Sequence, residues 1–268
     1  MAGDRTDEWS WIKDSSGWIP PVIDTSRPSV ARMYDFYLGG KDHFAVDRDA
    51  AEQVMRGFPD VAEAARANRE FLVRSVRAMA GDGIDQFLDL GTGIPTPPNT
   101  HEAARQIHPG ASIAYVDNDP VVMVHNRALL ASDDQTVTVM HDLRDPATVL
   151  ADPMIRSVID FGRPVGLLMI AVLHFVDVVS APMITSRYYR ELAPGSQVAI
   201  SVGVRDGIDP EIVAAGEKVY AKSNAPAFLR SVVQVGELLD GVEPVAPGLE
   251  DIYRSDQVHI VGVRATRA

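Results

Sequence analysis

The chain has 268 residues, enough for one large α/β domain with an added segment at one end. Its 37 acidic against 25 basic residues give a formal net charge of −12, which repels a phosphate backbone and argues against nucleic acid as a partner. There is no cysteine, which excludes disulfides, iron–sulfur clusters and Cys₄ zinc sites.

Residues 1–28 read as an irregular arm, polar and proline-punctuated, with Trp9, Trp11 and Trp18 at no regular period. The arm lacks the apolar centre of a signal peptide, and no run reaches the roughly 18 apolar residues of a membrane span. A cytoplasmic protein with no membrane partner is expected. From Ser29, residues Val30, Met33, Tyr34, Tyr37 and Leu38 recur at helical spacing until Gly39-Gly40. Further helices are predicted at 47–55 and 61–79, which makes 29–83 a helical segment ahead of a core at 84–268.

Beyond Gly83 short apolar pulses alternate with helical stretches. The pulses lie at 86–90, 112–116, 136–140, 165–170 and 197–202, with helices at 100–107, 120–130, 147–158 and 181–192. This alternation predicts a parallel, doubly wound sheet. A helix at 217–236, a short strand at 241–245, a loop at 247–256 and a closing strand at 258–264 end the chain. The last two strands stand too close in sequence for a parallel crossover and are expected to pair antiparallel.

In such a sheet ligands bind beyond the carboxyl ends of the strands. The first pulse ends in Asp89, followed by Gly91, Thr92 and Gly93; the second in Asp117, Asn118 and Asp119; the third in His141, Asp142 and Leu143; the fourth in Ala171 and His174. A dinucleotide turn asks for G-x-G-x-x-G, whereas this one has Thr96 at the third position and Pro95, Pro97 and Pro98 around it. Asp89 would also repel a pyrophosphate. It would attract a ligand carrying an ammonium or sulfonium, and the glycines allow close backbone approach. Asp117, 24 residues beyond Gly93, has the spacing of an acid that accepts from two ribose hydroxyls. Asp142 and Leu143 suit an adenine, the acid for its amine and the leucine for its ring. Asp119 and Asp145, each before a proline, read as helix caps.

These motifs, with "RPSVARMYDFYLGGKDHFAVDR", "ANREFLVRSVR", "YVDNDPVV", "DLRDP" and "AVLHFV", resemble the actinobacterial S-adenosylmethionine-dependent methyltransferase family formerly grouped as a domain of unknown function. The likeness runs from about residue 27 to the C-terminus. It implies a Rossmann-like class I fold of seven strands, the last antiparallel, with the N-terminal helices as a lid. It also implies S-adenosylmethionine as cofactor: Asp89, Gly91, Thr92 and Gly93 at its methionine end, Asp117 with Asn118 at the ribose, Asp142 and Leu143 at the adenine, and Ala171 beside the methyl. Tyr34, Tyr37 and Lys41 would face the pocket from the lid. Arg69 could pair with the methionine carboxylate or lie on the surface.

The expected reaction is methyl transfer to a small molecule, with His174 and then Tyr37 as the candidate bases. His174 can equally be a packed histidine. No His-x-x-x-His or comparable spacing indicates a metal. A cofactor-binding protein without catalysis and a nicotinamide oxidoreductase remain the alternatives.

Overall fold

The computed structural model describes residues 23–130 and 133–268. Trp9, Trp11, Trp18 and most of the expected arm lie outside the described residues.

Three helices come first: α1 (Val30–Tyr37), α2 (Ala45–Gly57) and α3 (Val61–Gly81). The core alternates strands and helices as β1 (Gln86–Leu90), α4 (Thr100–Arg105), β2 (Ser112–Asp117), α5 (Pro120–Leu130), β3 (Thr136–Met140), α6 (Pro146–Ala151), α7 (Pro153–Val158) and β4 (Gly166–Ile170). A 3₁₀ turn (Leu173–Phe175) follows, then α8 (Ala181–Glu191), β5 (Gln197–Gly203), α9 (Pro210–Tyr220) and α10 (Val232–Glu237). Strands β6 (Glu243–Pro244), β7 (Glu250–Arg254) and β8 (His259–Thr266) close the chain.

The sheet order is β3-β2-β1-β4-β5-β8-β6, with β7 also paired to β8. Strands β1 to β5 are parallel, and β8 runs antiparallel to β5, β6 and β7. The order reverses between β1 and β4, which opens a crevice at their carboxyl ends.

Successive strand residues serve opposite faces. Phe87, Ile113, Leu168 and Ala199 pack under α3, with its Phe71, Leu72, Val76 and Met79. Leu88, Val116, Leu167 and Val198 pack on the other face with Val149, Ile155, Ile184 and Tyr188. The predicted helical segment packs in two places. Helix α3 flanks the sheet along most of its length, while its first turns, through Ala65, join α1, α2 and α9 in a second apolar cluster with Met33, Tyr37, Ala51, Val54 and Val219.

The structure departs from the sequence expectation in three places. The sheet has eight strands because β7 occupies the expected loop; a register shift between Asp251 and Tyr253 breaks the alternation that would have marked it. The helix expected at 147–158 is two helices, since Pro153 lacks an amide proton and Asp152 turns extended to cap Met154 and Ile155. The helix expected at 217–236 is replaced by two: one begins earlier, at Pro210, and ends at Tyr220, and the other starts at Val232, where Ser231 and Gln234 form a capping box.

The cap is fastened by a buried ion pair. Asp47 accepts hydrogen bonds from the Ser29 amide (2.8 Å), the Arg32 Nε (3.1 Å) and the Phe44 amide (2.8 Å), so one carboxylate secures the starts of both α1 and α2. Its side chain is 0% exposed and that of Arg32 is 4% exposed. Asp47→Ala leaves the Arg32 charge with only the Asp24 and Arg27 carbonyls and no carboxylate, and is expected to cost about 3–5 kcal/mol in urea unfolding followed by circular dichroism. A loss below about 1 kcal/mol would mean that apolar packing alone holds the cap.

Candidate active site

Four strand ends and the cap enclose a cleft of about 1030 Å³ of empty space, its open mouth included. Asp89, Gly91, Thr92 and Gly93 at the end of β1, Asp117 and Asn118 at the end of β2, Asp142 and Leu143 after β3, and Ala171 after β4 all line it. Tyr34 from α1 and Arg69 from α3 complete the wall.

The glycine turn is shaped by two distinct demands. Gly91 has φ +72°, and a Cβ there would fall 2.3 Å from the Val172 side chain. Gly93 has φ +68°, yet a Cβ there would meet nothing within 4 Å. It borders open cleft, where a ligand can approach the backbone.

Two carboxylates are buried beneath this turn. Asp89 accepts from Thr100 Oγ1 at 2.7 Å through one oxygen, while its other oxygen has no protein partner. Burial pushes its pKa up to about 6, against the lowering effects of that hydrogen bond and of Arg69. Asp117 accepts from the Gly93 amide (2.9 Å) and the Asp119 amide (2.9 Å), and burial likewise pushes it up to about 6. Each of its oxygens keeps a lone pair for a further donor. These acids with a bare glycine cradle fit a ligand bearing an ammonium and hydroxyls, and do not fit a pyrophosphate.

The other walls are more heavily committed. Asp142 binds Arg144 through both oxygens, with Nε at 2.9 and 3.0 Å and Nη2 at 2.5 Å. Burial raises its pKa, but the Arg144 hydrogen bonds and charge outweigh this and hold it below the usual range. Leu143 is buried, its carbonyl fixed by the Tyr188 hydroxyl at 2.9 Å. Arg69 donates to the Thr96 and Pro98 carbonyls at 2.6 and 2.9 Å, which stitches α3 to the proline-rich turn. Asp119 caps α5 through the Val121 amide (2.8 Å) and also takes the Ser29 hydroxyl, so the cap is bonded to the loop after β2. Asp145 caps α6 through the Thr148 amide.

Ala171 closes the cleft in an unusual conformation, a non-glycine residue at φ +53°. Its amide donates to both the carbonyl and the hydroxyl oxygen of Ser201, each at 3.0 Å. Ser201 donates in turn to Asn68 Oδ1 (2.5 Å), Asn68 Nδ2 to the Tyr34 hydroxyl (2.9 Å), and Tyr34 to the Ala65 carbonyl (3.1 Å). This chain ties the end of β4 to the cap.

Beyond Ala171 lies a second cavity, about 910 Å³ of empty space with its opening included, which shares Val30, Tyr34, Ala171 and Phe175 with the first. Tyr37 and His174 line this cavity rather than the cleft. Neither is arranged as the proton acceptor expected from the sequence. His174 Nδ1 accepts from the Gly203 amide at 3.3 Å, so in the neutral ring Nε2 carries the hydrogen. Burial, with the Arg230 charge second, lowers its pKa to about 4. Tyr37 is hydrogen-bonded to Tyr220 at 3.2 Å, and burial raises its pKa far above the usual phenol value. Lys41 lines neither cavity and is exposed. The preceding Gly39-Gly40 turn folds instead around Asp35, whose carboxylate would sit 1.9 Å from a Cβ on Gly40.

Sequence reasoning missed Ser201, Arg144 and Arg230. Arg230 is fully buried and donates to the carbonyls of Leu173 (2.7 Å), Val176 (2.6 Å) and Asp177 (3.0 Å), holding the turn that carries His174. No local signal marks it, because all three partners are more than fifty residues away.

A family model described as S-adenosyl methyltransferase matches residues 16–259. The chain belongs to this S-adenosyl methyltransferase family. It is thus an enzyme that uses S-adenosylmethionine to transfer methyl groups. A DUF574 family protein from Streptomyces avermitilis is 36% identical, with a TM-score of 0.87, and the alignment covers 92% of this chain and 100% of that one. A Thermobifida fusca protein, solved as a candidate methyltransferase, is 35% identical with a TM-score of 0.86, covering 94% and 100%. A geranyl diphosphate methyltransferase solved with S-adenosylmethionine shares the fold at 16% identity and a TM-score of 0.53, over 77% of this chain and 86% of that one. No curated protein matches the sequence. Among the described residues no helix is long and apolar enough to cross a membrane.

The buried acids of this methyltransferase set a pH test. Asp117 has a folded pKa of about 6 against an ordinary value of 3.8, so the folded state binds its proton more tightly. That contribution to stability is complete at low pH and is lost as pH rises through about 6. Asp117→Asn, which cannot ionise, is therefore expected to gain stability relative to wild type as pH rises from about 4 to about 6, and to hold that gain above it, in urea unfolding of the ligand-free protein. A difference that stays flat with pH would show that Asp117 ionises freely.

Proposed function

We propose that the cleft holds S-adenosylmethionine and that the second cavity holds a small-molecule methyl acceptor. The observation carrying this reading is the junction: two cavities meet at Ala171, Tyr34 and Phe175, beside the only strained non-glycine residue among those described. When bound, the cofactor supplies a methyl on a positively charged sulfur, so transfer asks for alignment and dryness more than for acid–base help.

The chain's own residues fit those needs. Asp117 would accept the ribose hydroxyls with its remaining lone pairs, assisted by Asn118. The free oxygen of Asp89 would pair with the ammonium, and Gly91, Thr92 and Gly93 would let the methionine end lie against the backbone. Arg69 has guanidinium hydrogens left for the carboxylate once Thr96 and Pro98 are served. Asp142, steered by Arg144, and Leu143 would meet the adenine. Helices α1 and α2 with α9 would form the lid, and Tyr34 and Phe175 would exclude water at the junction.

A cofactor-binding protein without turnover would need no second chamber of this size, and its presence favours catalysis. In calorimetric titration, S-adenosylhomocysteine should bind the wild type, and Asp117→Ala should weaken it about ten- to hundredfold with the far-ultraviolet spectrum unchanged. Unaltered affinity in the variant would remove Asp117 from the cofactor site.

A further inference from the structure

The polar inventory of the second cavity restricts what can occupy it. Among the described residues, no lysine or arginine lines the wall, and Glu217 is its one acid. One Glu217 oxygen accepts from the Leu229 amide at 3.2 Å. His259, the other ionisable group besides His174 and the tyrosines, has both ring nitrogens taken, by the Asp206 carbonyl (2.9 Å) and the Asp251 carboxylate (2.7 Å). Tyr34 spends its hydrogen on Ala65.

Two donors remain. The His174 Nε2 hydrogen has no protein partner, since Nδ1 takes the Gly203 amide. The Tyr37–Tyr220 pair uses one hydroxyl hydrogen internally and leaves the other free. Around them stand aromatic walls: the Phe175 ring lies 4.4 Å from His174 and 5.7 Å from Tyr220, centre to centre.

We propose that the cavity binds an uncharged, largely apolar ring compound whose hydroxyl or carbonyl oxygen accepts hydrogen bonds from His174 Nε2 and the Tyr37–Tyr220 pair. This rests on the two-cavity reading above and names the acceptor class within it. An anion would be buried with no cation to answer it and with Glu217 in the same wall. An ammonium could reach one Glu217 oxygen, but it would bring a donor to a site whose free groups at His174 and the tyrosines are themselves donors. A hydroxyl satisfies both kinds of group, its oxygen accepting from His174 and its hydrogen facing Glu217. The aromatic walls favour flat rings in offset or edge contact.

The test uses the full chain and three probes with one skeleton: 2-naphthol, 2-naphthoate and 2-naphthylmethylammonium. Each is titrated calorimetrically into protein saturated with S-adenosylhomocysteine. 2-Naphthol is expected to bind at least about tenfold more tightly than either charged probe. Val213→Trp, which fills the cavity from α9 and lies outside the cleft, should abolish naphthol binding and keep that of S-adenosylhomocysteine. His174→Phe should keep the aromatic wall but weaken naphthol about five- to tenfold. The inference falls if a charged probe binds as well as naphthol, or if Val213→Trp leaves naphthol affinity intact while S-adenosylhomocysteine still binds. Failure of S-adenosylhomocysteine to bind the wild type would instead overturn the cofactor site, and the acceptor class with it.

Discussion

The site depends on the turn that β4 makes at Ala171. A left-handed alanine is sterically costly, and here it is held by two hydrogen bonds from its amide to Ser201 on the neighbouring strand. Because the serine hydroxyl continues through Asn68 to Tyr34, the same chain sets the end of the sheet and the position of α1. Every donor in this chain has an acceptor, so it can be buried without the cost of an unmade hydrogen bond. Arg230 secures the following turn from the other side through three carbonyls. The geometry at the meeting of the two cavities therefore comes from buried polar groups, while apolar packing supports the sheet beneath.

The two cavities differ in electrostatic character. The cleft contains acids raised by burial and ready to ionise against a cationic, hydroxylated ligand. The second cavity keeps its histidine neutral and its tyrosines protonated, leaving hydrogen-bond donors without net positive charge. That division suits a reaction in which the cofactor brings the charge and the acceptor need not. The cap joins both chambers: Tyr34 borders each, and Ser29, at the start of α1, bonds to Asp119 in the loop after β2. The cap and the cleft thus share wall residues and a direct hydrogen bond.

Much of this was legible in the chain. The apolar pulses mark all five parallel strands, since a buried strand needs a continuous apolar run whatever its neighbours. The acids at the ends of β1, β2 and β3 reach one cleft because parallel strands place their carboxyl ends together. Asp119 and Asp145 announce themselves as caps, an interaction completed within three residues. Strand β7 was hidden because its bulge cancels the period-two pattern, and the splitting of the helix at Pro153 depends on how Asp152 turns.

Chemistry that acts over a few residues, and topology that follows from strand–helix alternation, were thus determined by the sequence itself. Tertiary structure decided the protonation states and the division of the site into two chambers. His174 Nδ1 accepts from the Gly203 amide, and Lys41 lies outside both cavities, next to a turn that folds around Asp35. Such outcomes depend on desolvation and on partners far away in the chain, and neither is written in the spacing of residues along it.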